Sequence, residues 1–173
     1  MAVPIYFPIL RAKAGEIDAI GQPLPIGRDC TRPMLDFPKP APKDNLSLAR
    51  YFGDKVQAIK TSWGTVNDVC LDFSRYEPDS SMADGQHIVD YVFDIARQAR
   101  LQAVPVVAPL SLRGPGTHYF EAVSRVAARD KRGVTLRLPY EDFAVTAKLE
   151  RSLRETLGLI SVTPGDVDVF LDA

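Results

Sequence analysis

At 173 residues the chain is long enough for one domain with a real core, and 46% hydrophobic with 25% charged residues is an ordinary globular composition. A net charge of -1 removes any general electrostatic reason to expect nucleic acid or an anionic membrane as partner. Two cysteines, Cys30 and Cys70, are too few for a disulfide framework and lack metal-ligand spacing, so they read as buried free thiols. No apolar run approaches the ~20 residues of a membrane span, and the opening MAVPIYFPIL has no basic leader. A cytoplasmic chain without membrane attachment is expected.

Residues 5–10 form an apolar, β-branched and aromatic run that predicts a strand, with Pro8 marking an edge or irregularity. It runs straight into charge at Arg11, Lys13, Glu16 and Asp18. Residues 14–20 predict a short helix ended by Gly21, and 22–31 a loop. Residues 33–37 (PMLDF) predict a second strand and 39–45 another loop. Helical spacing covers 46–56; 56–60 and 66–73 are apolar runs, of which VNDVCLDF is the better strand. Trp63 is expected in the core or at its rim.

From residue 84 the pattern sharpens. Residues 84–100 predict an amphipathic helix with Asp84 as N-cap. Its apolar stripe is Ile88, Tyr91, Val92, Ile95 and Ala99, and Asp90, Asp94, Arg97 and Gln98 lie away from it. Residues 104–110 predict a buried strand, and SLRGPGT a loop. A helix over 117–130 ends at Lys131-Arg132-Gly133, followed by a strand over 134–138. A helix over 141–157 opens near Asp142 and stops at Gly158. A turn at 163–165 leads to the last strand, 167–171.

Helices long enough to cross over alternate with strands, which implies five or six parallel strands in an α/β fold. The expected architecture is an incomplete (β/α) TIM-barrel-like sheet, as one domain over 1–173; the alternative is an open α/β sheet. Charge at alternate strand positions favours the barrel. Asp72, Arg137, Asp168 and Asp172 interrupt strands that an open, doubly covered sheet would keep apolar. No glycine-rich dinucleotide turn is present either, since GPG at 114–116 lacks the spacing. A full barrel takes about 250 residues. The count falls short by about two strands, so the chain reads as the N-terminal part of a longer barrel or a shortened relative.

In a barrel these charges converge at the C-terminal mouth of the strands, where active sites of such barrels lie. The candidate catalytic residues are Lys13, Asp72 and Asp172. The candidate ligand-binding residues are Arg11, Asp36, Arg75 and Arg137. Lysine and arginine there hold a phosphate or carboxylate; aspartates ligate Mg²⁺ or serve as acid and base. Against this stands a purely internal ion-pair network. His87 and His118, each opening a helix, read as capping or surface residues. Arg125, Arg129, Lys131 and Arg132 read as a solvated helix end, not a nucleic-acid surface. No zinc-protease, CxxC, nucleophile-elbow or P-loop motif occurs.

The opening YFPILRAKAGEIDAI resembles the N-terminal signature of the phage-type beta protein family, matching at Tyr6, Pro8-Ile9-Leu10, Lys13, Gly15-Glu16 and Ala19. RPMLDFP (32–38) is similar to the family's second strand, and VCLDFSR (69–75) is similar in kind. The resemblance implies an α/β barrel found in bacteria and their phages, usually about twice this length, and brings no reaction and no catalytic residue list. Three hypotheses stand: a scaffold that binds a protein or small anionic ligand, set in phage–host conflict; a hydrolase-like enzyme acting on a phosphate- or carboxylate-bearing substrate; and a chain that self-associates through open sheet edges.

Overall fold

The computed structural model describes residues 6–22, 27–40, 47–109, 117–139 and 146–172. Six strands form one sheet: β1 (Ile9–Arg11), β2 (Met34–Asp36), β3 (Asp68–Asp72), β4 (Gln102–Val107), β5 (Val134–Pro139) and β6 (Val167–Asp172). All pairs are parallel, and their order across the sheet is their order in the chain. The helices between them are α1 (Ala14–Ile20), α2 (Leu48–Trp63), α3 (Ile88–Gln98), α4 (Thr117–Asp130) and α5 (Thr146–Ile160).

This topology decides between the two architectures. Crossovers between parallel strands are right-handed, so a sheet that always adds its next strand on the same side receives every helix on one face. An open doubly wound sheet needs a reversal of strand order to clothe both faces, and none occurs. The other face is covered only if the sheet curls upon itself. The fold is accordingly a curled half-barrel, with five helices outside it among the described residues.

Side-chain alternation sorts two apolar layers. The outer one joins Leu35, Phe37, Val69, Leu71, Phe73, Val107 and Leu136 to helix residues such as Ile17, Phe52, Val92, Val126 and Ile160. The inner one is small: Met34, Cys70, Val104 and Val106, with Phe7, Ile9 and Phe170 packed against them. Phe7, two residues before β1, and Phe170 of β6 meet at 5.7 Å between ring centroids across the interior.

Several local readings change. The 56–60 run is no separate element but part of α2, where Tyr51, Phe52, Val56, Ile59 and Trp63 form one buried helical stripe. Trp63 is core, and Arg28 lies over its ring while donating to the carbonyls of Gly21, Ser62 and Trp63 at the ends of α1 and α2. The α3 cap is His87, not Asp84: Asp84 instead accepts from Gln86 N at 3.0 Å in the preceding turn. Asp90 is buried, not solvent-facing, because Arg125 of α4 pairs with it at 2.5 Å. Gly158 lies inside α5, which ends at the buried Ile160; the expected start near Asp142 lies outside the described residues, as does most of SLRGPGT. Gly133 does not terminate a helix. It has φ +69°, and a Cβ there would run into the Asp166 backbone, so β5 starts against the turn before β6.

β1 and β6 are sheet edges, and on the outward face of β6 Val169 and Leu171 remain 56% and 57% exposed. Among the described residues no helix is long and apolar enough to cross a membrane.

His87 links this fold to pH. Its Nδ1 accepts from Val89 N at 3.2 Å as the α3 cap, and its Nε2 faces the Pro78 carbonyl at 2.9 Å, which requires the neutral ring protonated at Nε2. Burial lowers its pKa, against the raising influence of the Pro78 bond, Asp90 and Asp79; Arg125 adds to the lowering. Below about pH 6.5 the unfolded chain takes up a proton that the folded chain resists, so stability is lost as pH falls. Urea titrations should show the stability advantage of wild type over His87→Asn, which keeps a capping oxygen without titrating, shrinking between pH 7.5 and 5.5. A constant difference would remove the histidine from the account.

Candidate functional site

The tripeptide Leu-Asp-Phe occurs twice, at 35–37 and 71–73. In both copies Leu and Phe enter the helix layer and Asp points inward. Register pairs Arg11 with Asp36 and Asp36 with Asp72 across three adjacent strands. Phe37 and Phe73 stack at 4.8 Å beside this row, and Tyr51 and Tyr76 donate to the Pro38 carbonyl at 2.7 and 3.0 Å. The two carboxylates therefore stand on a packed aromatic base.

Arg137 of β5 closes the mouth. Its Nη1 donates to Asp72 Oδ2 at 2.6 Å, and its Nε and Nη2 donate to Asp172 Oδ2 at 2.9 and 2.6 Å. Ser74 N supplies Asp72 Oδ1 at 2.7 Å. Asp72 is 1% exposed, and every one of its oxygens has a donor. Burial works against the Arg137 charge, but its bonds to Asp172 and Asp72 outweigh that and raise its pKa above the ordinary arginine value.

Asp36 is held differently. Arg75 Nε donates to its Oδ2 at 2.6 Å, while Oδ1 is buried and has no donor among the described residues. Arg75 itself is half exposed. Arg11 and Lys13 are exposed and make no ion pair among the described residues; Glu16 Oε2 takes the Arg11 backbone N–H at 2.6 Å. Lys13 follows the strand and opens α1. The structure thus brings Asp72, Arg137 and Asp172 into one network and Asp36 with Arg75 into a second. Arg11 lies in register beside them and Lys13 at the rim. Among the described residues no three His, Cys, Asp or Glu side chains are arranged to hold a metal ion.

A separate network lies at the opposite end; of its members the sequence marks only Asp168, as a strand charge, and Arg132, as part of a solvated helix end. Arg32 bridges Asp68, at 3.1 Å, and Asp168, and Arg132 reaches Asp68 at 3.5 Å. Its signal is the charge at every even β6 position apart from Phe170, which fits only an inward-facing row. Between the two networks Cys70 Sγ lies 3.2 Å from Thr135 Oγ1, and burial pushes its thiol up to about 12. Arg129 pairs with Asp94 and Asp130, and Arg97 with the same two, so the helix-end arginines form an ion-pair lattice. His118 is exposed, 3.1 Å from Asp79.

A family model described as Beta protein matches residues 6–173. The chain belongs to the Beta protein family. No curated protein and no solved structure matches it. Family membership spans all six strands, so the mouth of this Beta protein lies wholly within the matched region.

Breaking the Arg137 clamp leaves a buried carboxylate uncompensated, a change that costs about 3–5 kcal/mol in comparable settings. Arg137→Met should lower unfolding free energy in urea by about 3 kcal/mol, and adding Asp72→Asn should recover part of it. A loss under about 1 kcal/mol would mean that the clamp does not hold the sheet closed.

Proposed function

We propose that this Beta protein is a cytoplasmic binding scaffold, a single domain over its whole length, whose mouth takes an anionic ligand through Arg11, Lys13 and the outer end of Arg75. The observation that carries this is the pairing pattern. Arg137 consumes Asp72 and Asp172, Arg75 engages Asp36 by one N–H only, and Arg11 and Lys13 make no ion pair among the described residues. The charge offered to a partner is positive, and guanidinium and ammonium groups suit phosphate or carboxylate. The hydrolase-like alternative uses Lys13, Asp72 and Asp172 on the same class of substrate. Binding is favoured because Asp72 is buried and clamped by a donor on each oxygen, a setting that suits a structural carboxylate better than a proton-transfer group. The setting we propose is phage–host conflict, on the occurrence of the family in bacteria and their phages.

Titration with inorganic phosphate at constant ionic strength, followed by calorimetry or amide chemical shifts, should show saturable binding. Arg11→Ala/Lys13→Ala should weaken it about tenfold or more while leaving stability within about 0.5 kcal/mol, as expected at exposed positions. Failure of phosphate and acetate alike to bind, or an unaffected double variant, would sink the reading.

The same scaffold is proposed to self-associate, on the exposed Val169 and Leu171 at the open β6 edge. Sedimentation should show a concentration-dependent dimer that Leu171→Lys abolishes; a monomer throughout would end this part.

A further inference from the structure

We infer that the ligand of this mouth carries a hydrogen-bond donor, a hydroxyl or an ammonium, next to its anionic group, and that Asp36 Oδ1 receives it. The inference rests on the anion-binding reading and adds the chemical class of the ligand.

Asp36 and Asp72 occupy the same place in the same tripeptide and face each other in register. Their satisfaction differs. Asp72 has a backbone N–H on one oxygen and Arg137 on the other. Asp36 is 4% exposed, with Arg75 on Oδ2 and nothing on Oδ1. A buried carboxylate oxygen without a donor is costly, and native structures rarely leave one unmet. Among the described residues no donor is placed on it: the one Arg75 bond goes to the other oxygen, and Arg11 is exposed.

The arginine beside Asp36 is loosely held. The Arg75 side chain is 47% exposed and tethered by a single Nε bond, not by a two-pronged fork. A swing of its outer end would aim the Nη donors at an anion arriving beside Asp36. Neighbouring strands stand about 4.8 Å apart, so a group bound between Arg11 and Arg75 lies within two or three bonds of one at Asp36. A bare cation fits less well, because no third acidic side chain is arranged with Asp36 and Asp72 among the described residues. The ligands that meet both demands are hydroxylated phosphate esters, hydroxy acids, and phosphates or carboxylates with a neighbouring amine.

The test compares methyl phosphate, glycerol 3-phosphate and phosphoethanolamine by calorimetry on the whole chain, with Asp36→Ala checked for folding by its thermal transition. On wild type, glycerol 3-phosphate or phosphoethanolamine should bind about tenfold tighter than methyl phosphate, and which of the two wins identifies hydroxyl or ammonium. In Asp36→Ala the ratio of either donor-bearing ligand to methyl phosphate should collapse to within about threefold, whatever affinity for methyl phosphate the variant gains once Arg75 loses its partner. Equal binding of all three to wild type overturns the inference and leaves the anion reading standing. A preference that survives in Asp36→Ala overturns it too, since the donor is then received elsewhere. If none of the three binds, the anion reading fails and this one with it.

Discussion

One guanidinium holds the interior of this fold together. Arg137 reaches from β5 to Asp72 on β3 and to Asp172 on β6, and all three groups lie mostly out of water. Ion pairs in such places repay their desolvation only when geometry is good and the remaining lone pairs are filled. Both conditions require curvature: a flat sheet would hold β3 and β6 three strand spacings apart, far beyond the span of one guanidinium. The curl that lets Arg137 bridge them also lets Phe7 meet Phe170 and Arg32 meet Asp168. A thin apolar layer is thus closed at each end by an arginine with two aspartates. This arrangement takes the place of helices on the inner face, which the strand order denies it.

In the proposed reading the same network leaves the mouth positive although aspartates line it. Inward positions near the strand ends carry carboxylates because arginines opposite them need partners, and once paired both lose their net effect on an incoming group. What remains is set by groups outside the pairing: Arg11 at the end of β1, Lys13 at the start of α1, and the outer nitrogens of Arg75. These lie on segments that continue from the strands, where loops of α/β folds carry their binding groups.

Much of this was legible in the sequence where periodicity and packing agree. The α4 helix, 117–130, and the parallel α/β class follow from apolar spacing alone, as does the incomplete barrel from charge on alternate strand positions. The mouth residues on five strands could be named because a two-residue period fixes which side chains share a face. Legibility fails where a distant partner overrides the local pattern. Asp90 reads as solvent-facing until Arg125 arrives from the next helix. Asp84 is a better cap by composition than His87, yet the Ser81–His87 bridge sets the entry of the chain one turn later. The glycine at 133 resembles a helix stop, and only the approach of the Asp166 backbone shows what it is for. The Arg32 network escapes for the same reason: its members lie 36 and 136 residues apart.

The repeated Leu-Asp-Phe carries the clearest lesson about that limit. Identical tripeptides, in register on neighbouring strands and backed by stacked phenylalanines, put two carboxylates into nearly equivalent backbone positions. Their chemistry diverges at the next residue of the chain. After Phe73 the backbone turns at Ser74 and folds its N–H onto Asp72. After Phe37 comes Pro38, whose nitrogen has no hydrogen to give, and whose carbonyl is turned to Tyr51 and Tyr76. A serine in one copy and a proline in the other thus separate a closed structural carboxylate from one with an open oxygen. The asymmetry on which the proposed ligand preference rests originates in that difference between two otherwise matching strand ends.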